Sequence, residues 1–212
     1  MSLDYSEDTL IQEGTATILE RLGWESIYAY DQEVLGQPGT LGRNTYKDVF
    51  LRQRFRKALR RINPWINEDQ LVEACDAMTS HSATQTLMQT NEQKYRLIRD
   101  GIDVTDIKPN GTKDTRRAQV IDFNNPENND FLAVRELWVY GQIYHRRADV
   151  VGFVNGLPLV FMELKNHDVA IDDAYNNNYS DYLDVIPQLF WYNVFVILSN
   201  GDEARVGTVG SK

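Results

Sequence analysis

The chain has 212 residues, 42% of them hydrophobic and 11% aromatic, enough to bury a sizeable core and too apolar for a disordered polymer. No apolar run is long enough to cross a bilayer, Met1–Ser6 is not a secretory signal, and the single cysteine, Cys75, excludes an internal disulfide or a cysteine-built zinc cluster and fits a reducing cytoplasm. The net charge of −9 argues against a strong grip on nucleic acid by the chain alone and leaves phosphate contact to local basic faces.

Ser6-Glu7-Asp8-Thr9 predicts a helix start, with Ser6 as the cap and acids in the first turn. Ile11, Thr15, Ile18 and Leu22 recur at helical spacing with Leu19 beside them, and Gly23 closes the helix. Residues 25–30 predict a short strand and 35–43 a glycine-rich loop. A second helix is expected over 46–62, burying Leu51, Phe55, Ala58, Leu59 and Ile62. Its other stripe carries Arg52, Arg56 and Arg60, either a solvated cationic face or a surface for DNA backbone or an acidic partner. Asn63-Pro64 ends it. Two more helices follow, 68–79 with a buried Cys75 and 87–99, the latter stopped by Gly101.

From Ile102 the period changes to two. Strands are expected over 102–107, 118–123 and 131–144, separated by Asn110-Gly111 and by 124–130. After a hairpin come a polar helix over 171–183, an apolar strand over 193–199 and a short strand over 204–209. The order helix, strand, helical insertion, meander, helix, strand defines an α/β domain with a mixed sheet. Gly210-Ser211-Lys212 follows with no stabilising element, which reads as a boundary inside a longer polypeptide.

The chemistry concentrates in the hairpin, residues 147–165. Two apolar runs flank a turn; Asp149 opens the first, and Glu163 and Lys165 close the second. Two residues apart on a strand, Glu163 and Lys165 share a face. Charges at the end of a buried strand cost free energy unless a metal, a partner or a substrate compensates them. Asp149 and Glu163 are natural Mg²⁺ ligands, and Lys165 would orient or activate water and stabilise developing charge on a phosphodiester. Arg146 and Arg147 either hold phosphate nearby or pair with a neighbouring acid. His81, His145 and His167 have no metal-ligand spacing.

The hairpin constrains its own register. Asn155-Gly156 invites a two-residue turn that pairs Val154 with Leu157 and hence Asp149 with Met162. Glu163 and Lys165 would then point away from Asp149. A single site therefore requires one residue gained or lost, by a three-residue loop or a bulge, with Gly152 the favoured place.

Several segments carry a wider resemblance. Ser6-Glu7-Asp8 leading to Leu22-Gly23-Trp24, Arg43–Val49, Asn63-Pro64, Asn91 to Gly101, Ile121–Phe131, Arg147-Ala148-Asp149, Phe153–Pro158 through Glu163-Leu164-Lys165-Asn166, and Ile186–Phe190 together resemble the amino-terminal part of the restriction subunit of type I restriction–modification enzymes, whose nuclease belongs to the PD-(D/E)xK superfamily. The resemblance implies a restriction-endonuclease-like α/β core (about 1–34 and 102–212) with a mixed central sheet flanked by helices and a helical insertion (about 44–101). It implies that Asp149, Glu163 and the backbone carbonyl of Leu164 bind Mg²⁺, with Lys165 completing the catalytic set. An acid expected in the first helix falls at Gln12 or Glu13, which makes Glu13 a candidate ligand. Tyr182 fits a Gln-x-x-x-Tyr pattern in the helix after Lys165, with Asn178 where glutamine is expected.

No Gly-x-x-x-x-Gly-Lys-Ser/Thr loop occurs in the chain, so the ATP-dependent motor domains that the family couples to DNA translocation are absent from it. The expected function is metal-dependent cleavage of unmodified double-stranded DNA, in a cytoplasmic bacterial or archaeal complex with modification (methyltransferase) and specificity subunits and without a membrane. The alternatives are a docking module with little activity of its own and a stand-alone repair nuclease.

Overall fold

The computed structural model describes residues 7–211 apart from residues 31, 37 and 109. Helix α1 spans Glu7–Arg21; Ser6, its expected cap, lies outside the described residues. Gln12, Ala16 and Leu19 form its buried line, whereas Ile18 and Leu22, expected to be inside, are exposed. The small side chain of Ala16 and a buried polar partner for Gln12 decide which of two adjacent stripes faces the sheet.

Strand β1 (Glu25–Tyr28) follows, then α2 (Arg52–Ile62), α3 (Glu68–Thr79) and α4 (Leu87–Asp100). Helix α2 starts at residue 52 rather than 46. The Asp48 carboxylate accepts the N–H groups of Asn44 and Thr45 at 2.9 and 3.0 Å, and Leu51 N–H donates to the Gly156 carbonyl at 2.9 Å, so the chain before Arg52 is held as a turn. Capping boxes open the next two helices, Asn67 with Gln70 and Thr86 with Gln89. Cys75 is buried as expected.

Strands β2 (Ile102–Ile107) and β3 (Lys113–Ala118) form a separate antiparallel pair. The strand expected over 118–123 is therefore displaced towards the N-terminus. The Asn63 side chain takes both the N–H and the carbonyl of Gln119, and Asp122 and Asn129 gather 122–129 into a loop. Side-chain hydrogen bonds have replaced a ladder there.

The main sheet comprises β1, β4 (Phe131–Tyr140), β5 (His145–Val154), β6 (Leu157–Leu164), β7 (Phe195–Ser199) and β8 (Ala204–Gly207), in the order β1-β4-β5-β6-β7-β8. The β1/β4 and β6/β7 pairs are parallel and the others antiparallel, a mixed sheet. Between β6 and β7 the chain is helical from 171 to 185: α5 (Ile171–Asp173), a π-helical stretch (Ala174–Tyr179) and α6 (Ser180–Val185). A large core on one face joins Phe55, Leu59, Leu71 and Met78 of the helical segment to Val151, Phe153 and Phe161 of the sheet and to Tyr179 and Tyr182. A smaller core on the other face packs Leu19 of α1 on Ala133, Val150, Met162 and Leu164. Among the described residues, no helix is long and apolar enough to cross a membrane.

Candidate active site

The turn between β5 and β6 is Asn155-Gly156, with φ of 51° and 79°, the left-handed pair that a two-residue hairpin of this hand requires. Asn155 is fully buried. Its amide donates to the Val120 carbonyl and to Asn129 Oδ1, and its Oδ1 accepts the Asp130 N–H at 2.7 Å. The ladder starts with Val154 opposite Leu157 and Phe153 opposite Pro158, then shifts so that Gly152 faces Val160 and Val150 faces Met162. Leu159 is the extra residue of a β-bulge, next to a proline that offers the ladder no donor. Continued one step, the shifted register sets Asp149 across from Glu163. The shift falls between Gly152 and Phe153, so of the two routes the one-site argument allows the chain takes the bulge, at the favoured place. A Cβ there would come within 3.0 Å of both the Trp24 ring and Val160 Cβ, so the residue that admits the register shift also admits Trp24 against the sheet.

Asp149, Glu163 and Lys165 meet at the open end of this hairpin. Asp149 Oδ2 accepts the Leu164 N–H at 2.8 Å, which ties it to the backbone between the other two. Lys165 Nζ donates to Glu163 Oε1 at 2.8 Å; Glu163 is 1% exposed and Lys165 22%. Glu163 Oε2 is buried and has no hydrogen-bond partner among the described residues. Burial first, and the adjacent Asp149 second, push the Glu163 carboxyl up to about 8, against the pull of Lys165.

The helical segment 171–185 covers this face. Tyr182 is buried and its hydroxyl donates to the Arg147 carbonyl at 3.0 Å, bracing β5 two residues before Asp149. Burial and the nearby Glu163 and Asp149 carboxyls raise its phenol, while a hydrogen bond with Asn178 acts in the opposite direction. The π-helical stretch carries Asn178 one turn before Tyr182, a local irregularity of the kind that gathers at sites.

Other expected residues lie elsewhere. Glu13 is exposed and does not enter the site; the inward position is Gln12, whose Nε2 donates to Glu136 Oε1 at 2.6 Å. Arg147 is ion-paired with Glu136 and Arg146 with Asp181, so both arginines have carboxylate partners rather than being open to phosphate. Arg56 and Arg60 both pair with Glu68 of α3, and Arg52 lies over the Phe50 ring, which favours an intramolecular role for that stripe over a DNA face. His81 packs tilted against Trp191, and His145 stacks on Tyr140 and packs tilted against Trp138. Glu136 is the site neighbour that sequence reasoning missed. A lone acid after Val134-Arg135 in an otherwise apolar strand was the available signal.

A mixed sheet with helices on both faces, carrying an Asp and a Glu-x-Lys together on adjacent strands, is a restriction-endonuclease-like core. Residues 4–212 match the model of the type I restriction enzyme R protein N terminus, and the chain belongs to that family. It is 33% identical over 205 residues to the type I restriction enzyme HindI endonuclease subunit of Haemophilus influenzae, covering 95% of this chain and 19% of that protein. It is 30% identical over 208 residues to a Methanocaldococcus jannaschii protein provisionally named type I restriction enzyme MjaIXP endonuclease subunit, covering 96% of this chain and again 19% of the relative.

Proposed function

We propose that this chain is the nuclease module of a type I restriction enzyme R subunit, hydrolysing DNA phosphodiesters with Mg²⁺ held by Asp149, Glu163 and the Leu164 carbonyl. The supporting observation is the buried, partnerless Glu163 Oε2 beside Asp149 and Lys165. A carboxylate oxygen so placed is costly unless a cation meets it. The donors are all oxygen, as a hard divalent ion prefers. With two carboxylates in place, the Leu164 carbonyl and water would complete the set, the usual situation for Mg²⁺. When bound, Mg²⁺ neutralises nonbridging phosphate oxygens and acidifies water.

The chain's own groups do the rest. Lys165 Nζ, anchored on Glu163 yet partly open to solvent, orients the attacking water and offsets charge developing on the phosphate. Tyr182, through the Arg147 carbonyl, holds the strand that presents Asp149. The core (about 1–34 and 102–212) carries this chemistry, and the helical insertion (about 44–101) buttresses the hairpin turn through Leu51. The relatives are named endonuclease subunits, and this chain spans 19% of their length. On this reading ATP hydrolysis, translocation, and assembly with modification and specificity subunits in the cytoplasm belong to the longer polypeptide and its complex.

The test is Asp149→Asn in the full subunit assembled with its partners, assayed on unmodified duplex DNA with Mg²⁺ and ATP. Cleavage should fall by about 10²-fold or more with the circular dichroism spectrum unchanged. Wild-type cleavage by that variant refutes the assignment.

A further inference from the structure

Glu136 sits in the middle of β4 with φ of 57°; among the described non-glycine residues only it and Asn155 of the hairpin turn have positive φ. A left-handed residue inside a long strand is costly and persists only where its surroundings enforce it. The ladder brackets it: Arg135 pairs with Val150 and Leu137 with Ala148, so Glu136 stands on the rung of Asp149.

Both strands change face at that rung. On β4, Leu132 and Val134 face the main core and Ala133 the core under α1, yet Leu137 and Val139 are again in the main core, a step of three where alternation demands two. On β5, Phe153 and Val151 face the main core, Val150 the α1 side, and Ala148 the main core once more. The two irregular steps coincide at Glu136 and Asp149. An irregularity of this kind re-aims a side chain.

The enforcing contacts are visible. The buried Glu136 carboxylate accepts Gln12 Nε2 at 2.6 Å through one oxygen and pairs with Arg147 Nε through the other. Arg147 is in turn fixed by the Tyr30 ring under its guanidinium, 4.8 Å to the centroid, and by the Tyr182 hydroxyl on its carbonyl. We infer that Glu136 is a positioning residue: the Gln12–Glu136–Arg147 chain holds the left-handed rung and thereby aims Asp149 at the Leu164 N–H and at Glu163. The inference rests on the reading of Asp149 and Glu163 as the pair that holds the metal.

Two measurements on Glu136→Ala, with Asp149→Ala as control, test it. The first is metal-free: hydrogen exchange of the Leu164 amide, whose N–H is held by Asp149 Oδ2. It should quicken about tenfold or more in both variants, while the amides of β7 exchange as in wild type. Uniform acceleration across the sheet would show a merely structural role and overturn the proposal. The second is Mn²⁺ titration by calorimetry, where Glu136→Ala should bind about tenfold or more weakly. Leu164 protection and Mn²⁺ affinity both equal to wild type also overturn it. Were wild type and Asp149→Ala to bind Mn²⁺ identically, the metal reading itself would fall, and the aiming of Asp149 would still be decided by the exchange data. If Glu136→Ala does not fold, Glu136→Gly, which accepts φ of 57° without strain, takes its place with the same two expectations.

Discussion

Glu163 is a carboxyl whose burial opposes its own ionisation, and Glu163→Gln removes that conflict with little change of shape. Its folded value of about 8 lies above the 4.5 of an unperturbed glutamate. A raised folded value means that the group's contribution to stability is complete below pH 4.5 and is lost as pH rises through about 8. One unit is worth about 1.4 kcal/mol, so Glu163 titrating alone removes about 3 kcal/mol of stability between about pH 5 and about pH 7.5. Sharing of the proton with Asp149 spreads that change over a wider range without altering its sign. The assay is urea unfolding in EDTA of wild type and Glu163→Gln at both pH values. The difference of the two unfolding free energies cancels the titrating groups that do not interact with Glu163 and leaves Glu163 with its neighbours Asp149 and Lys165. It should move in favour of the variant by about 3 kcal/mol at the higher pH. Saturating Mg²⁺ should stabilise the wild type and leave the variant unmoved. A difference that is the same at both pH values refutes the reasoning, because it would mean that Glu163 ionises as freely inside the fold as outside it.

Two further substitutions probe the hairpin. Gly152→Val places a Cβ within 3.0 Å of the Trp24 ring and of Val160, and overpacking of this kind costs about 1–3 kcal/mol. The melting temperature should drop by several degrees, and an unchanged value would show that Trp24 does not close on this position. Asn155→Ala strands the Val120 carbonyl and the Asp130 N–H, leaves Asn129 Oδ1 with the Asp122 N–H alone, and puts a Cβ-bearing residue without local hydrogen bonds at φ of 51°. Urea unfolding should register a loss of roughly 3 kcal/mol or more, of which Asn155→Gly recovers only the backbone part, about 1 kcal/mol. Full recovery by glycine would show that the side-chain bonds contribute nothing.

Much of this was legible in the residues. The hairpin's face argument needs only the two-residue period and the Asn-Gly turn; it demands one residue gained or lost, and the structure takes the bulge beside Gly152 rather than the longer loop. The helices expected from residues 68 and 87 start there in the structure, where Asn67 and Thr86 supply caps from close in sequence. What escaped depended on distant partners. Nothing near Asp48 announces that Leu51 will donate to Gly156, so periodicity alone starts helix α2 six residues too early. The buried stripe of α1 was misjudged because Gln12 pairs with Glu136 across 124 residues of sequence, beyond any periodicity. Ala118–Phe123 has the composition of a strand, but Asn63 captures Gln119 first. The arginine stripe of α2 could be read either way until Glu68 was seen to face Arg56 and Arg60.

The hairpin is held at its blind end. Gly156 accepts Leu51, and Asn155 is fastened to Val120, Asn129 and Asp130, whereas Asp149 lies towards the other end, six residues along β5. At about 3.3 Å per residue the strand is a lever arm of roughly 20 Å, so a tilt of about 3° at the turn displaces Asp149 by about 1 Å. A misplacement of that size costs on the order of 10²-fold in rate. The turn thus adds, from the far end of the hairpin, to the aim that the Glu136 rung gives Asp149 locally, through an asparagine and a glycine that take no part in the proposed chemistry.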